Sequence, residues 1–300
     1  MQIFNNVNKQ TFNRRVDLLS TNFINNSLSN LFNGFKNYDQ TVVIPKQITN
    51  ISSILKDSNL KTGNIIFKDN GNNIINMSSA FYNTNYLWDM TIPDNVQDLS
   101  YCFSFLNSYL NSSNKSGIGT IYLGKAAPSN MSSTFYGTKG KTFVINNNSD
   151  LNIPNGVVNM YETFANSDIN ISGNISIPNT VTNFSYTFAG TNYWNKGNIT
   201  FENNSQLKDM SYAFKEANLC SIDSIPSSVT NLIGTFSNAN FGKSRNINIA
   251  NLTKINSVEN TFRDAKVSTD IIPKNVIELS NAFENCQYST LVNFLNKRSV

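Results

Sequence analysis

The phrase "IPNTVTNFSYTFAG", Ile177–Gly190, returns with small changes as "IPDNVQDLSYCFSF", "IPNGVVNMYETFAN", "IPSSVTNLIGTFSN" and "IPKNVIELSNAFEN". A recurring phrase constrains the fold more tightly than composition does, because each copy is one unit that buries its apolar edge only against the next copy. Aligned on Phe188, the same slot holds Phe32, Leu55, Phe81, Phe103, Phe135, Phe164, Phe188, Phe214, Phe236, Phe262 and Phe283, at separations of 21 to 32 residues. These residues are the expected structural core of the repeat, and the slot is called position zero below.

Four positions earlier every unit is apolar (Met77, Leu99, Met160, Phe184 and Leu232, for example). Three before that, nine units carry Val, Ile or Leu, and a small residue such as Ala80, Thr187 or Ala282 precedes position zero in most units. Spacings of three and four place these groups on one side of a helical or turn-like segment. Such a segment is too short to be a stable helix alone. Upstream, "NISIP", "NITF", "NINI", "TIYL" and "NIIF" alternate as strands of three or four residues. Pro45, Pro93, Pro154, Pro178, Pro226 and Pro273 stand ten before position zero, where proline ends a ladder at a fixed place. The expected fold is a repeat solenoid with one short parallel strand and one turn or short helical segment per coil of about 24 residues, in about eleven coils.

Charged residues are only 14% of the 300, and 54 residues are Asn. Interleaved with phased Ile, Val, Met and Phe, these Asn belong to a folded chain and not to a low-complexity tract. Position minus five holds Asn50, Asn76, Asn130, Asn159, Asn183 and Asn231, with Asp98, Asp209, Ser27, Ser257 and Glu278 as alternatives. Six Asn in eleven slots exceeds what an Asn-rich chain places at random. A short side chain with donor and acceptor, stacked coil over coil, satisfies turn amides that the interior would leave unpaired.

The repeat resembles the BspA-type leucine-rich repeat of bacterial and phage surface proteins, most closely in "IPNTVTNFSYTFAG" and "IPKNVIELSNAFENC". The likeness covers about residues 28 to 290. The Gly after the central apolar residue is replaced mostly by Ser, and the Cys of "AFxxC" survives only as Cys286, with Thr84, Ser167, Thr191, Ala217, Ala239 or Ala265 in that slot elsewhere. The resemblance implies a binding or adhesive surface without chemistry of its own; the ligand does not transfer with a fold.

The residue types agree with a non-enzymatic chain. There is no His, which removes the commonest general base, the Ser-His and Cys-His pairings and the usual transition-metal ligand. Cys102 and Cys286 occupy small buried slots, Cys220 lies just outside the phased slots, and an odd three makes no disulfide framework. "GTKGK", Gly137–Lys141, is an insertion between coils and no phosphate cradle, and no calcium-loop pattern occurs. No catalytic, metal or cofactor-binding residue is nominated, and no cofactor is expected. A net charge of +4, spread along the chain, gives no basic stripe for nucleic acid. No apolar run approaches the ~20 residues of a membrane span, and the N-terminus lacks the pattern of an ordinary secretory signal.

Recognition remains. The strand residues expected to face outward are Val43, Ile66, Thr91, Tyr122, Asn152, Ser176, Thr200 and Asn248, a strip of low charge suited to a protein or glycan. Trp88 and Trp194 follow position zero by six or seven residues as a second aromatic candidate, whereas Tyr86 and Tyr193 fall in an apolar slot and are expected in the core. Residues 1–26 are expected as an N-terminal cap or an attachment segment to other virion proteins, 27–290 as the solenoid and 291–300 as a C-terminal cap. The leading expectation is an exposed phage virion component, a fibre or decoration protein recognising a host-surface protein or glycan. The Asn-rich composition fits an AT-rich genome. A bacterial cell-surface adhesin and an intracellular interaction scaffold are the alternatives. An oligomer is compatible with all three.

Overall fold

The computed structural model describes Leu18 and residues 23–35, 41–58, 65–84, 89–106, 121–138, 150–168, 173–192, 197–203, 206–219, 221–242 and 246–287. They fall into two compact units, divided between 147 and 148. Each is wound as a parallel β-solenoid. In the first unit β1 (Val42–Ile44) pairs with β2 (Ile65–Phe67), and β3 (Met90–Thr91) with β4 (Ile121–Tyr122), all parallel. In the second, β5 (Leu151–Asn152), β6 (Ile175–Ile177), β7 (Asn198–Phe201) and β9 (Ser221–Ile222) form one parallel sheet, while β8 (Asn218–Leu219) pairs with β10 (Asn240–Phe241).

The strands are short because a turn follows at once. Ile175 and Ile177 are buried around the outward Ser176, and the next residue, Pro178, has no amide to continue the ladder. Its carbonyl instead accepts the Val181 N–H at 3.3 Å, as Pro45 accepts from Ile48 and Pro154 from Val157. Gly71 takes the proline slot of its unit with φ at +69°, and the space its missing side chain leaves is filled by Pro93, whose Cγ would be 2.8 Å from a β-carbon there.

From position minus four to plus three the chain runs in an arc whose amides alternate in direction. Phe184, Tyr186, Phe188 and Gly190 donate to Asp209, Ser211, Ala213 and Lys215 of the next coil, at 2.7–3.1 Å. The amides between them turn back three residues: Thr187 donates to Phe184, Ala189 to Tyr186 and Thr191 to Phe188. The first unit repeats the pattern, with Leu55 donating to Ala80, Phe81 to Cys102 and Phe103 to Thr134. This corrects the short helical segment that the spacing allowed. Among the described residues the helical elements are two 3₁₀ turns, Ile24–Asn26 and Lys68–Gly71. A helix spends every amide internally, whereas these arcs give every second one to the neighbouring coil.

Alternation requires left-handed backbone at positions minus two and plus two. Tyr186 and Gly190 have φ of 55° and 64°; the same two slots hold Ser79 and Asn83, Tyr101 and Phe105, Asn260 and Asp264, and Asn281 and Asn285, all at positive φ. Asn, Asp and Gly tolerate that region best, so part of the Asn excess is a backbone requirement.

Inside the arcs the position-zero rings stack. In the second unit Phe164, Phe188, Phe214, Phe236, Phe262 and Phe283 follow one another at 5.1–5.9 Å between centroids and within 18° of parallel. In the first, Phe81, Phe103 and Phe135 do the same at 5.4 and 5.6 Å. Phe32 and Leu55 are fully buried in their coils. Beside the rings, the Thr187 hydroxyl lies 2.7 Å from the carbonyl of Phe184 and 2.9 Å from that of Met160 on the preceding coil. Thr134, Thr235 and Thr261 reach the preceding coil in the same way. In most units the small slot before position zero therefore holds Ala, or a Thr whose hydroxyl reaches a carbonyl of the preceding coil.

The minus-five residues bridge one coil to the next, from Ser27 through Asn50, Asn76, Asp98 and Asn130 in the first unit, and through Asn159, Asn183, Asp209 and Asn231 in the second. Their side chains act mainly within their own coil, and Asn130 also donates through Nδ2 to Asp98 Oδ1 on the preceding coil at 3.2 Å. Asn50, Asn76, Asp98, Asn183 and Asp209 each accept the N–H of the residue two ahead through Oδ1, at 2.8–3.1 Å. That is an Asx turn, and it explains why Ser257 and Glu278 can substitute with their own oxygens. Amide-to-amide contact between coils occurs at position plus four instead, where Asn218 donates to Asn192 at 2.8 Å and Asn240 to Asn218 at 3.3 Å.

Candidate recognition surfaces

The strand face assembles part of the expected strip. Val43 sits in register with Ile66, Thr91 with Tyr122, and Asn152, Ser176 and Thr200 form one row. Ile66 is exposed, Thr91 and Asn152 also, and Val43, Tyr122, Ser176 and Thr200 are half-buried. Asn248 lies outside the strands: the bridge in its coil is made by Asn246 to Ser268, and Asn248 accepts the Ala250 N–H in a local turn. Trp88 and Trp194, with Tyr86 and Tyr193, lie outside the described residues, as do 291–300 and most of 1–26.

A second surface is carried by the arcs. In the first unit Tyr82, Phe105 and Tyr136, on successive coils, meet edge to face at 5.5 and 5.3 Å. The Lys56 ammonium lies over the Tyr82 ring at 4.9 Å. Phe105 packs against Gly137, where a β-carbon would stand 2.7 Å from its Cε1. Tyr101, four residues before Phe105, is 44% exposed and Phe105 is 37% exposed. In the second unit Tyr161 meets Tyr186 at 6.0 Å, and Tyr186 stacks on Tyr212 at 4.8 Å. Partial burial, and then the neighbouring Tyr212, raise the Tyr186 phenol above its ordinary pKa.

The apolar spacing marks only the buried edge of each arc and leaves this surface unmarked. The available signal was the left-handed slots. Tyr101, Phe105, Tyr186 and Tyr212 all have φ between 51° and 56°, a region that costs a bulky residue about 1–3 kcal/mol. Elsewhere the same slots hold Asn, Asp or Gly, which tolerate the region better, and also Ser53, Ser79, Ser133, Glu162 and Glu216.

The rest of the described chain offers little chemistry. Cys102 is fully buried, and burial pushes its thiol well above the ordinary pKa, away from the nucleophilic thiolate. Cys286 is half-buried, with its Sγ 3.3 Å from the Val267 carbonyl. Among the described residues no three His, Cys, Asp or Glu side chains converge as a metal site would require, and no helix is long and apolar enough to cross a membrane. A cleft of about 410 Å³ opens beside β2 and β3, lined by Ile65, Phe67, Asn70, Met90 and Asp94 among others.

No family model, no curated protein and no solved structure matches this chain.

Proposed function

We propose that this chain is a non-enzymatic recognition protein, a leucine-rich-repeat-like array of about eleven coils akin to the BspA-type repeats, exposed on a phage particle and binding a host-surface protein or glycan. The observation that carries the recognition reading is a set of aromatics held at left-handed backbone, exposed at Tyr101 and Phe105 on one arc and half-buried at Tyr186 and Tyr212 on two successive arcs. Asn, Asp and Gly hold such slots with less strain than a bulky ring, and retained strain points toward function. Within each unit, parallel stacking sets neighbouring arcs at the spacing of adjacent strands, about 4.8 Å, so aromatics on successive arcs form a continuous patch.

Attachment to a virion rests on composition, the Asn-rich chain matching an AT-rich genome, and the bacterial cell surface is the competing location. The test of recognition is a glycan array run beside a pull-down from host envelope with the full chain. Binding in either supports recognition; binding in neither leaves an architectural part and removes the proposal. Immunogold labelling of purified particles decides the location.

A further inference from the structure

We infer that the arc face of the first unit, centred on Tyr101 and Phe105, is a binding site for an uncharged glycan chain. The inference rests on the recognition reading above and gives it a face and a ligand class.

Three observations carry it. The first is preorganisation. Phe105 is fixed from both sides, by Tyr82 and Tyr136 on the adjacent coils and by the vacant space at Gly137, yet it keeps 37% of its surface exposed. A ring that is both locked and open loses little entropy on contact. The second is strain. Tyr101 and Phe105 are both aromatic and left-handed on one arc, with φ of 56° and 51°, where the slots on flanking coils hold Ser79 and Asn83, or Ser133 and Gly137.

The third is charge. No Asp, Glu, Lys or Arg occurs in 77–83, 99–105 or 131–137, so the arcs that carry Tyr82, Phe105 and Tyr136 are neutral from minus four to plus two. The charges at the border are of both signs: on the preceding coil Lys56 lies over the Tyr82 ring and Asp57 accepts from Asn83, and Asp98 stands half-buried in the turn before Leu99. A neutral face gives no attraction to sialylated, sulfated or uronic chains, and none to nucleic acid, whose affinity comes from neutralised phosphates. What lies beside the rings is hydroxyl: Ser100 and Ser132 stand half-buried on the same arcs. Serine is depleted at protein–protein interfaces, where Arg is enriched with the aromatics. A neutral sugar matches both components, its C–H face covering a ring and its hydroxyls exchanging hydrogen bonds with Ser.

The test uses the full chain and the variants Tyr101→Asn and Phe105→Asn on an array of neutral hexose and N-acetylhexosamine oligosaccharides beside sialylated and uronate ones. Asn fills these slots in other coils, at Asn260 and Asn238 for example, so both variants are expected to keep the fold and its melting temperature within a few degrees. The expected result is binding to neutral oligosaccharides that falls by roughly tenfold or more in each variant, the scale of losing an aromatic hot spot. Neutral-glycan binding unchanged in both variants overturns this site and leaves recognition standing. So does binding confined to acidic glycans, or to an envelope protein. Self-association in sedimentation velocity that disappears in Phe105→Asn also overturns it, because a second copy would then cover the face. No binding on any arm overturns the recognition reading itself.

Discussion

The ring of Tyr212 lies in the space that a β-carbon on Gly234 would occupy, one coil away, while Gly234 itself sits at a φ of +60°. The glycine is thus required twice, once for its backbone and once for its neighbour's side chain. Gly234→Ala is expected to lose about 2–5 kcal/mol, combining left-handed strain with overpacking. In a Tyr212→Ala background the loss should shrink to about 1–2 kcal/mol. Urea denaturation of both single variants and the double variant measures the coupling; additive losses would show that ring and glycine do not compete for space.

Phe188 stacks between Phe164 at 5.1 Å and Phe214 at 5.9 Å and is 1% exposed. Phe188→Ala should cost about 3–5 kcal/mol, as for buried aromatics generally. A loss below about 1 kcal/mol in chemical denaturation would contradict its place in the core.

Asn183 accepts the Ser185 N–H through Oδ1 at 3.1 Å and also accepts the Ser185 hydroxyl. Asn183→Ala should destabilise by about 0.5–1.5 kcal/mol, the net value of a neutral hydrogen bond. Asn183→Asp keeps an acceptor in the same place, as Asp209 does on the following coil with the Ser211 N–H at 2.8 Å. It should cost less than Ala. The ordering of the two melting temperatures checks the Asx role against a purely steric one.

Glu278 takes the same turn with Oε1, accepting the Ser280 N–H at 2.7 Å, and the bonds from Ser280 hold its carboxyl below the ordinary 4.5. A depressed folded-state pKa means that the unfolded chain binds the proton more readily. Stability from this group is therefore complete above the ordinary carboxylate value and is lost as pH falls through the lower folded value. In acid titrations of stability, Glu278→Gln should flatten that part of the profile. An unchanged slope would show that the carboxylate contributes nothing through Ser280.

Much of the core was legible because buried positions repeat. Phe188, Val181 and Pro178 recur at fixed offsets, and each proved buried or turn-forming as the offsets imply. The arc's conformation was not legible from the same offsets. Spacings of three and four suit a helix and a chain of three-residue turns equally, and only the outward slots tell them apart. There Asn260, Asp264, Asn281 and Asn285 recorded positive φ, but in a chain with 54 Asn they read as background. The aromatic arc surface was hidden for the same reason, since Tyr101 and Phe105 stand out only once Asn and Gly are known to belong in their slots. Asn248 is exposed between the buried Ile247 and Ile249, as the alternation of "NINI" implies, but the bridge of its coil is made at Asn246 and Asn248 closes a local turn with Ala250.

The alternation of arc amides has a consequence for how such a chain can lengthen. Each arc donates upward from the same four slots and receives from below at the same carbonyls, as Phe188 does toward Ala213 and Phe214 toward Thr235. In backbone terms one arc of a unit can therefore sit on another, with side-chain pairs such as Tyr212 and Gly234 setting the exceptions. Duplicating or excising a whole unit in the gene would leave both flanking coils with partners of the same geometry, so reach can change by recombination while the rules of assembly stay constant.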